Sequence, residues 1–190
     1  MYTMRTYGGE DIDPLQMAES DVSLRDVAHA LSLLCRGGGH LKSFYSVAQH
    51  SINCMKEARA RGWSERMQLA CLLHDASEAY LSDVIRPLKA RLANYSELET
   101  LVMAKIWRRF GLSDLSQEEN SRWKQVDDAL LRHEFQALMN GEHLWQPIAL
   151  SSVPDTAQRR WQDVEAEFLL LATQLLARQP LSSAPTSPKP

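Results

Sequence analysis

Apolar residues return every three or four positions along most of this chain. Leu24, Val27, Leu31 and Leu34 do so after Ser23, and Trp161, Val164, Phe168, Leu171 and Leu175 do so near the other end. That period is the helical one, and it gathers each set on a face that must be buried against a neighbour. No run of alternating apolar and polar residues competes with it, so the spacing predicts an all-α fold. Caps and breakers set the expected limits. Ser23 with Asp26 has the pattern of a capping box, Ser64 opens a helix, "SELE" at 96–99 caps another, and so does "SQEE" at 116–119. The glycines at 37–39, Gly62, Gly111 and Gly141 read as stops, and Pro87 as a break. About six main helices follow: Ser23 to Arg36, about 46–61, Ser64 to about Tyr80, 96 to near Gly111, 116 to Gly141, and the 161–175 stripe. Residues 1–21, with Gly8-Gly9 and Pro14, read as irregular decoration of one domain covering 1–178, and 179–190, "QPLSSAPTSPKP", as a flexible Pro/Ser-rich tail.

Composition narrows the function classes. The chain has 190 residues, 44% of them hydrophobic, enough for one domain with a real core. A formal net charge of −3 with no dominant basic block argues against binding polymeric nucleic acid or an anionic membrane. It leaves room for a small phosphorylated ligand, which needs only one or two placed cations. Cys35, Cys54 and Cys71 form no CxxC, are odd in number and sit in helix-like segments, so they read as buried thiols of a reducing compartment. No apolar h-region opens the chain and no uninterrupted apolar stretch approaches about 20 residues, so a cytoplasmic protein is expected.

Three polar clusters do not suit a plain helix bundle. His50 stands among Val47, Ile52 and Cys54; His74-Asp75 follows Ala70, Cys71, Leu72 and Leu73; Asp127-Asp128 lies among Val126, Ala129, Leu130 and Leu131. A lone histidine on an apolar face is usually a hydrogen-bonded core residue, and an Asp pair is usually a solvated face. His74-Asp75 is harder to explain so, because burying both groups requires satisfying both. A divalent cation would do it, imidazole and carboxylate being ligands for Mn²⁺, Fe²⁺, Co²⁺, Ni²⁺ or Zn²⁺. Such a mixed shell without Cys can keep positions open for water and substrate. Glu78, four residues after His74 and three after Asp75, falls on their face of a continuous helix.

The longer string "RGGGH…YSVAQHS…LLHDASEAYLSDVIRPLK" with Asp127 resembles the H…HD…D signature of HD-domain metal-dependent phosphohydrolases, and in particular their 5′-deoxynucleotidase branch. The resemblance covers about Ser23 to Glu134 and implies an all-α bundle with its ligands around a central cleft. It implies metal binding by His50, His74, Asp75 and Asp127, with Mg²⁺ added to the candidate cations. Asp127 and Asp128 compete for the last place; Asp127 is chosen because Glu134 follows by seven residues, the spacing that the resemblance to this branch implies, which also sets both on one face. Glu78 matches the family's catalytic carboxylate, Asp75 would share in catalysis, and Arg36 matches an arginine that orients phosphate. Asp83 matches a substrate contact, to which Arg86 and Lys89 could add positive charge. Where relatives commonly carry a bulky aromatic after that arginine, this chain has Gly37. His40 could approach substrate and His133 could back the site; His29 and His143 stay outside it.

The resemblance thus implies an enzyme, a metal-dependent phosphoric ester hydrolase that cleaves (deoxy)nucleoside 5′-monophosphates to nucleoside and phosphate. Its expected partner is a small nucleotide, and the sequence allows a homodimer. Two rivals stay open: a deoxynucleoside triphosphate triphosphohydrolase, and a non-catalytic nucleotide-binding regulatory module.

Overall fold

Serine and glycine placement decides where the helices begin and end in the computed structural model, which describes residues 3–141 and 145–179. The main helices are α1 (Leu24–Leu33), α2 (Val47–Ala60), α3 (Glu65–Leu73), α6 (Tyr95–Arg109), α7 (Gln117–Leu138) and α8 (Trp161–Ala177), with one-turn helices α4 (Glu78–Leu81) and α5 (Arg86–Lys89) between α3 and α6. Two residues from each side, Met4–Arg5 and Asp11–Ile12, pair as a small antiparallel hairpin (β1, β2) in the N-terminal decoration. The fold is all-α. No helix among the described residues is long and apolar enough to cross a membrane.

The side-chain oxygens of Ser23, Ser46, Ser64 and Ser116 accept from the amides of Asp26, Gln49, Met67 and Glu119, one cap at each of four helix starts. Each such cap contributes about 1 kcal/mol. At Ser116 the box is reciprocal, since Glu119 accepts from the Ser116 amide at 2.8 Å. At Ser23 it is not: the Asp26 carboxylate turns away and accepts from the Gly8 amide at 2.7 Å, tying the N-terminal turn to α1.

Five helix limits differ from the expectation. α1 ends at Leu33 instead of Arg36, because Cys35 bridges to Ser46 and the chain runs extended there. Cys35 is therefore outside a helix, whereas Cys54 and Cys71 are buried in α2 and α3. The long third helix is two pieces, α3 and α4, with His74 as the cap between them. Pro87 does not break the chain but starts α5, where its fixed φ and missing N–H cost nothing. α6 begins at Tyr95 behind a left-handed Asn94, not at a Ser96 cap, and α7 ends at Leu138 before Gly141 is reached. His143 and 180–190 of the tail lie outside the described residues.

α2 is the central element, packed against α1, α3, α7 and α8. Ile52 and Met55 on α2, Leu31 on α1, Leu69 and Leu72 on α3, Ile106 on α6 and Phe168 and Leu175 on α8 share one core. A smaller cluster of Cys54, Ala58, Cys71, Val126 and Leu130 joins α2, α3 and α7.

A helix buried on all sides must also satisfy its polar residues, and α2 uses them to hold the connection between α7 and α8. Gln49 donates to the carbonyls of Asp155 and Ala157 at 3.0 and 2.9 Å, and Asn53 donates to Asp155 at 3.0 Å. The Glu57 carboxylate accepts from the Ser151 and Ser152 amides, the Ser152 hydroxyl and the Arg61 guanidinium. Burial works against that charge, but these donors outweigh it and hold the carboxyl below its usual range. A lowered folded pKa gives stability that is complete above the unfolded value of about 4.3 and is lost as pH falls through the folded value. Glu57→Ala is therefore expected to cost about 2–4 kcal/mol in urea unfolding at pH 7. The gap to wild type should narrow below about pH 4. A gap that is constant with pH would disprove the anchoring role of the charge.

Candidate metal and ligand site

Arg36, His50, His74, Asp75 and Asp127 are brought to one place by four separate segments. Backbone bonds from Arg36 to the Tyr45 carbonyl (2.9 Å) and from Val47 to the Leu34 carbonyl (3.0 Å) hold the Arg36 strand against the start of α2, one turn before His50. His74 ends α3. Tight turns after it, with Ala76 donating to Leu73 and Glu78 to Asp75, re-aim Asp75 and Glu78 toward the same space. Asp127 comes from the middle of α7.

The hydrogen bonds of the two histidines fix their tautomers. His74 Nδ1 lies 2.8 Å from the Cys71 carbonyl, which can only accept, so Nδ1 carries hydrogen. His50 Nδ1 lies 2.9 Å from the Glu134 carboxylate, which imposes the same. Both Nε2 atoms therefore face inward, 3.3 Å apart. Asp127 Oδ1 stands 3.1 Å from His50 Nε2, and Asp75 Oδ2 stands 3.2 Å from His74 Nε2. In the neutral imidazoles these four atoms are all acceptors. A cluster of converging lone pairs requires a cation or shared protons. Burial disfavours a charged His74, yet Asp75 and Asp127 raise its pKa well above the ordinary value, so the cluster is short of positive charge. Burial likewise opposes the Asp127 charge, and the two histidines nevertheless hold that carboxyl well below its usual range.

His50, Cys54 and His74 also form a buried group whose ligand atoms lie within 4.8 Å of one another, and which could hold a metal ion. Cys54 Sγ is 3.4 Å from His50 Nε2 and 3.9 Å from its Nδ1. Being almost equidistant from both nitrogens, the sulfur sits beside the ring instead of on the Nε2 lone-pair axis. Burial, with Asp127 and Glu134, pushes its thiol well above the ordinary value. The carboxylates are the better-aimed partners.

Asp127 and Asp128 separate cleanly. Asp127 faces the histidines, while Asp128 is half exposed and receives the other arm of Arg86, which donates to Asp127 Oδ2 at 2.7 Å and Asp128 Oδ1 at 2.6 Å. Arg36 donates to Asp75 Oδ2 at 3.0 Å, and its buried Nε has no partner among the described residues.

Glu134 backs the site. It is fully buried, accepts from His50 and from the Tyr45 hydroxyl at 2.6 Å, and Tyr45 is held in turn by Asn53 at 2.8 Å. His133 does not take that place; its neighbour does. His29 is remote, stacked on Tyr7 at 3.5 Å and 3.3 Å from Glu165.

No protein-family model matches the chain. Among curated proteins it is similar to the uncharacterized protein YfdR of Escherichia coli (strain K12), 35% identical over 112 residues, which are 59% of this chain and 60% of that one. It is also similar to the uncharacterized protein RCAP_rcc00048 of Rhodobacter capsulatus, 40% identical over 114 residues, 57% of this chain and 58% of that one. The chain thus covers about three fifths of each relative's length, 60% and 58%. Neither relative's name assigns an activity.

Beside the histidines opens a cavity of about 860 Å³, bordered at its inner end by Arg36, Asp75, Glu78, Lys89 and Asp127. Glu78 is buried, and its Oε2 has no partner among the described residues; Lys89 Nζ is 3.5 Å from Oε1. Burial, then the charges of Asp75 and Asp83, push the Glu78 carboxyl well above its usual range, against the pull of Arg36 and Lys89. The continuous helix expected for Glu78 is absent, and the turn after His74 presents it instead. Asp83 also borders the cavity and accepts from the Gly37 amide at 3.0 Å. It follows Ser82, whose φ of 67° and ψ of 160° belong to a region that favours glycine. His40 reaches the cavity wall, as do Phe135 and Trp145, which no spacing rule in the sequence singled out.

Proposed function

We propose that this chain is a metal-dependent phosphohydrolase of nucleotides, acting on (deoxy)nucleoside 5′-monophosphates. The observation that carries the reading is the all-acceptor convergence of His50 Nε2, His74 Nε2, Asp75 Oδ2 and Asp127 Oδ1 at the inner end of a ligand-sized cavity. These four side chains would hold a divalent cation from Mn²⁺, Co²⁺, Fe²⁺, Ni²⁺, Zn²⁺ or Mg²⁺. When bound, the cation would neutralise phosphoryl charge and acidify a water. Arg36 is always charged and borders the cavity, so it would orient the phosphate, with Lys89 beside it. Glu78, with an unpartnered oxygen and a carboxyl pushed above its usual range, would donate a proton to the leaving 5′-oxygen. Water and the phosphate monoester give a nucleoside and inorganic phosphate. Asp83, one oxygen committed to Gly37, could accept from a sugar hydroxyl with the other. The cavity volume is of the order used by small-molecule sites, about 300–1,000 Å³.

The test is a phosphate-release screen over nucleoside mono- and triphosphates and an aryl phosphate, with Mn²⁺, Co²⁺, Mg²⁺ and Zn²⁺ supplied in turn. Release from deoxynucleoside monophosphates is the expected result. Faster release of triphosphate would favour the triphosphohydrolase, and preference for the aryl phosphate would overturn the nucleotide assignment. A regulatory module would bind nucleotide without releasing phosphate. Metal analysis makes a separate prediction: Asp127→Asn purifies with less metal than wild type and Asp128→Asn with the same amount. The reverse order would exclude the ligand set.

A further inference from the structure

The cavity has an apolar lining as well as a charged one. Leu131, Phe135, Met139 and Trp145, apolar side chains from α7 and the segment beyond it, border it together with Arg36 and the carboxylates. Trp145 is 49% exposed although it belongs to that wall. A large aromatic left half in water costs burial that its neighbours could have supplied, and such exposure in a concave site marks a ligand surface. The rings of Phe135 and Trp145 are 6.3 Å apart between centroids and tilted by 32°. A third ring between them would need two stacking distances of about 3.5 Å each. The two rings are therefore too close to take a third between them, and a flat ligand would lie against their cavity-facing sides.

That wall begins at the phosphate end. A Cβ built on Gly37 would lie 3.7 Å from Phe135 Cζ, so the tip of the Phe135 ring covers the bare backbone directly after Arg36. Gly37 itself has φ 61° and ψ 27°, a left-handed conformation that side chains disfavour, and its amide is committed to Asp83. Residue 37 cannot readily supply a ring, and Phe135 of α7 places one against it.

We propose that Phe135 and Trp145 are the recognition surface for the nucleobase, a flat aromatic group stacked on the wall while its phosphate is held at Arg36. The inference rests on the nucleotide reading and adds the residues that select an aromatic leaving group. Stacking uses the π-face that every base has, so this surface recognises a base by shape and polarisability more than by its hydrogen-bonding edge.

The experiment is calorimetric binding of deoxyadenosine, deoxyadenosine monophosphate and deoxyribose 5-phosphate to the full chain. It compares wild type with Trp145→Ala and with Phe135→Leu, which keeps bulk but removes the ring. Both variants should bind the nucleoside and its monophosphate about 5- to 100-fold more weakly. Deoxyribose 5-phosphate, which has no base, should bind all three proteins alike. Equal weakening of all ligands, unchanged nucleoside affinity in both variants, or a wild type that binds neither base-containing ligand would overturn the proposal. Failure of the hydrolase reading is seen separately. If no nucleotide releases phosphate but deoxyadenosine binds wild type and not Trp145→Ala, the wall stands and the reaction assignment falls. If phosphate is released and both variants bind deoxyadenosine as wild type does, the wall falls alone.

Discussion

Glu78→Gln is expected to slow phosphate release by about 10²–10⁴-fold while metal content stays at the wild-type level. The two halves of that outcome have different causes. Glu78 has no recorded contact with either Nε2 and does not complete the ring of acceptors around them, so the amide should leave metal binding intact. Its carboxyl, however, borders the cavity with one oxygen buried and unpartnered among the described residues, and burial together with Asp75 and Asp83 pushes it well above its usual range. A proton donor held in that state works until pH rises through its folded pKa. The wild-type rate should therefore fall on the alkaline side, and Glu78→Gln should lack that limb. Joint loss of metal and activity would make Glu78 a ligand, and a near-normal rate would remove it from the reaction.

Glu134→Ala is expected to cost about 3–5 kcal/mol of stability and about 10–100-fold in metal affinity. The carboxylate is fully buried, hydrogen-bonds to His50 Nδ1 at 2.9 Å and to the Tyr45 hydroxyl at 2.6 Å, and lies 3.7 Å from Arg36 Nε, near enough to offset its charge without a hydrogen bond. Burial opposes its charge, yet His50, Arg36 and Tyr45 together hold it below its usual range. Removing it leaves the buried Tyr45 hydroxyl without its acceptor, takes one of two nearby counter-charges from the Arg36 guanidinium, and lets the His50 ring choose either tautomer. Urea unfolding and a metal titration of the same variant read the two effects. A loss below about 1 kcal/mol with unchanged metal affinity would mean that the buried network does not support the site.

The helices and most of the site could be read from the amino acids alone, for local reasons. Ser116 and Glu119 carry their capping box within four residues, and the 161–175 stripe carries its own period. His50, His74-Asp75 and Asp127 stand out because each is polar inside an apolar turn, and the structure brings them together. What escaped is nonlocal. The break at His74 has no Gly or Pro to announce it; it arises where the turn must present Asp75 and Glu78 to the cavity. Tyr45, Asn53 and Asp155 become partners only after α2, α7 and the segment before α8 have packed. Phe135 and Trp145 look like ordinary amphipathic-helix and loop residues until the cavity between them and Arg36 exists.

Ser82 sets robustness against rigidity in the loop between α4 and α5. A serine held at φ 67° and ψ 160° forgoes about 1–3 kcal/mol that glycine would recover at the same backbone angles. Glycine would also enlarge the range of directions open to the next residue, Asp83, whose carboxylate now pins the Gly37 amide beside Arg36. Ser82→Gly would therefore relieve the backbone while loosening the hold of Asp83 on the cavity floor, so stability and preorganisation move in opposite directions at this one residue.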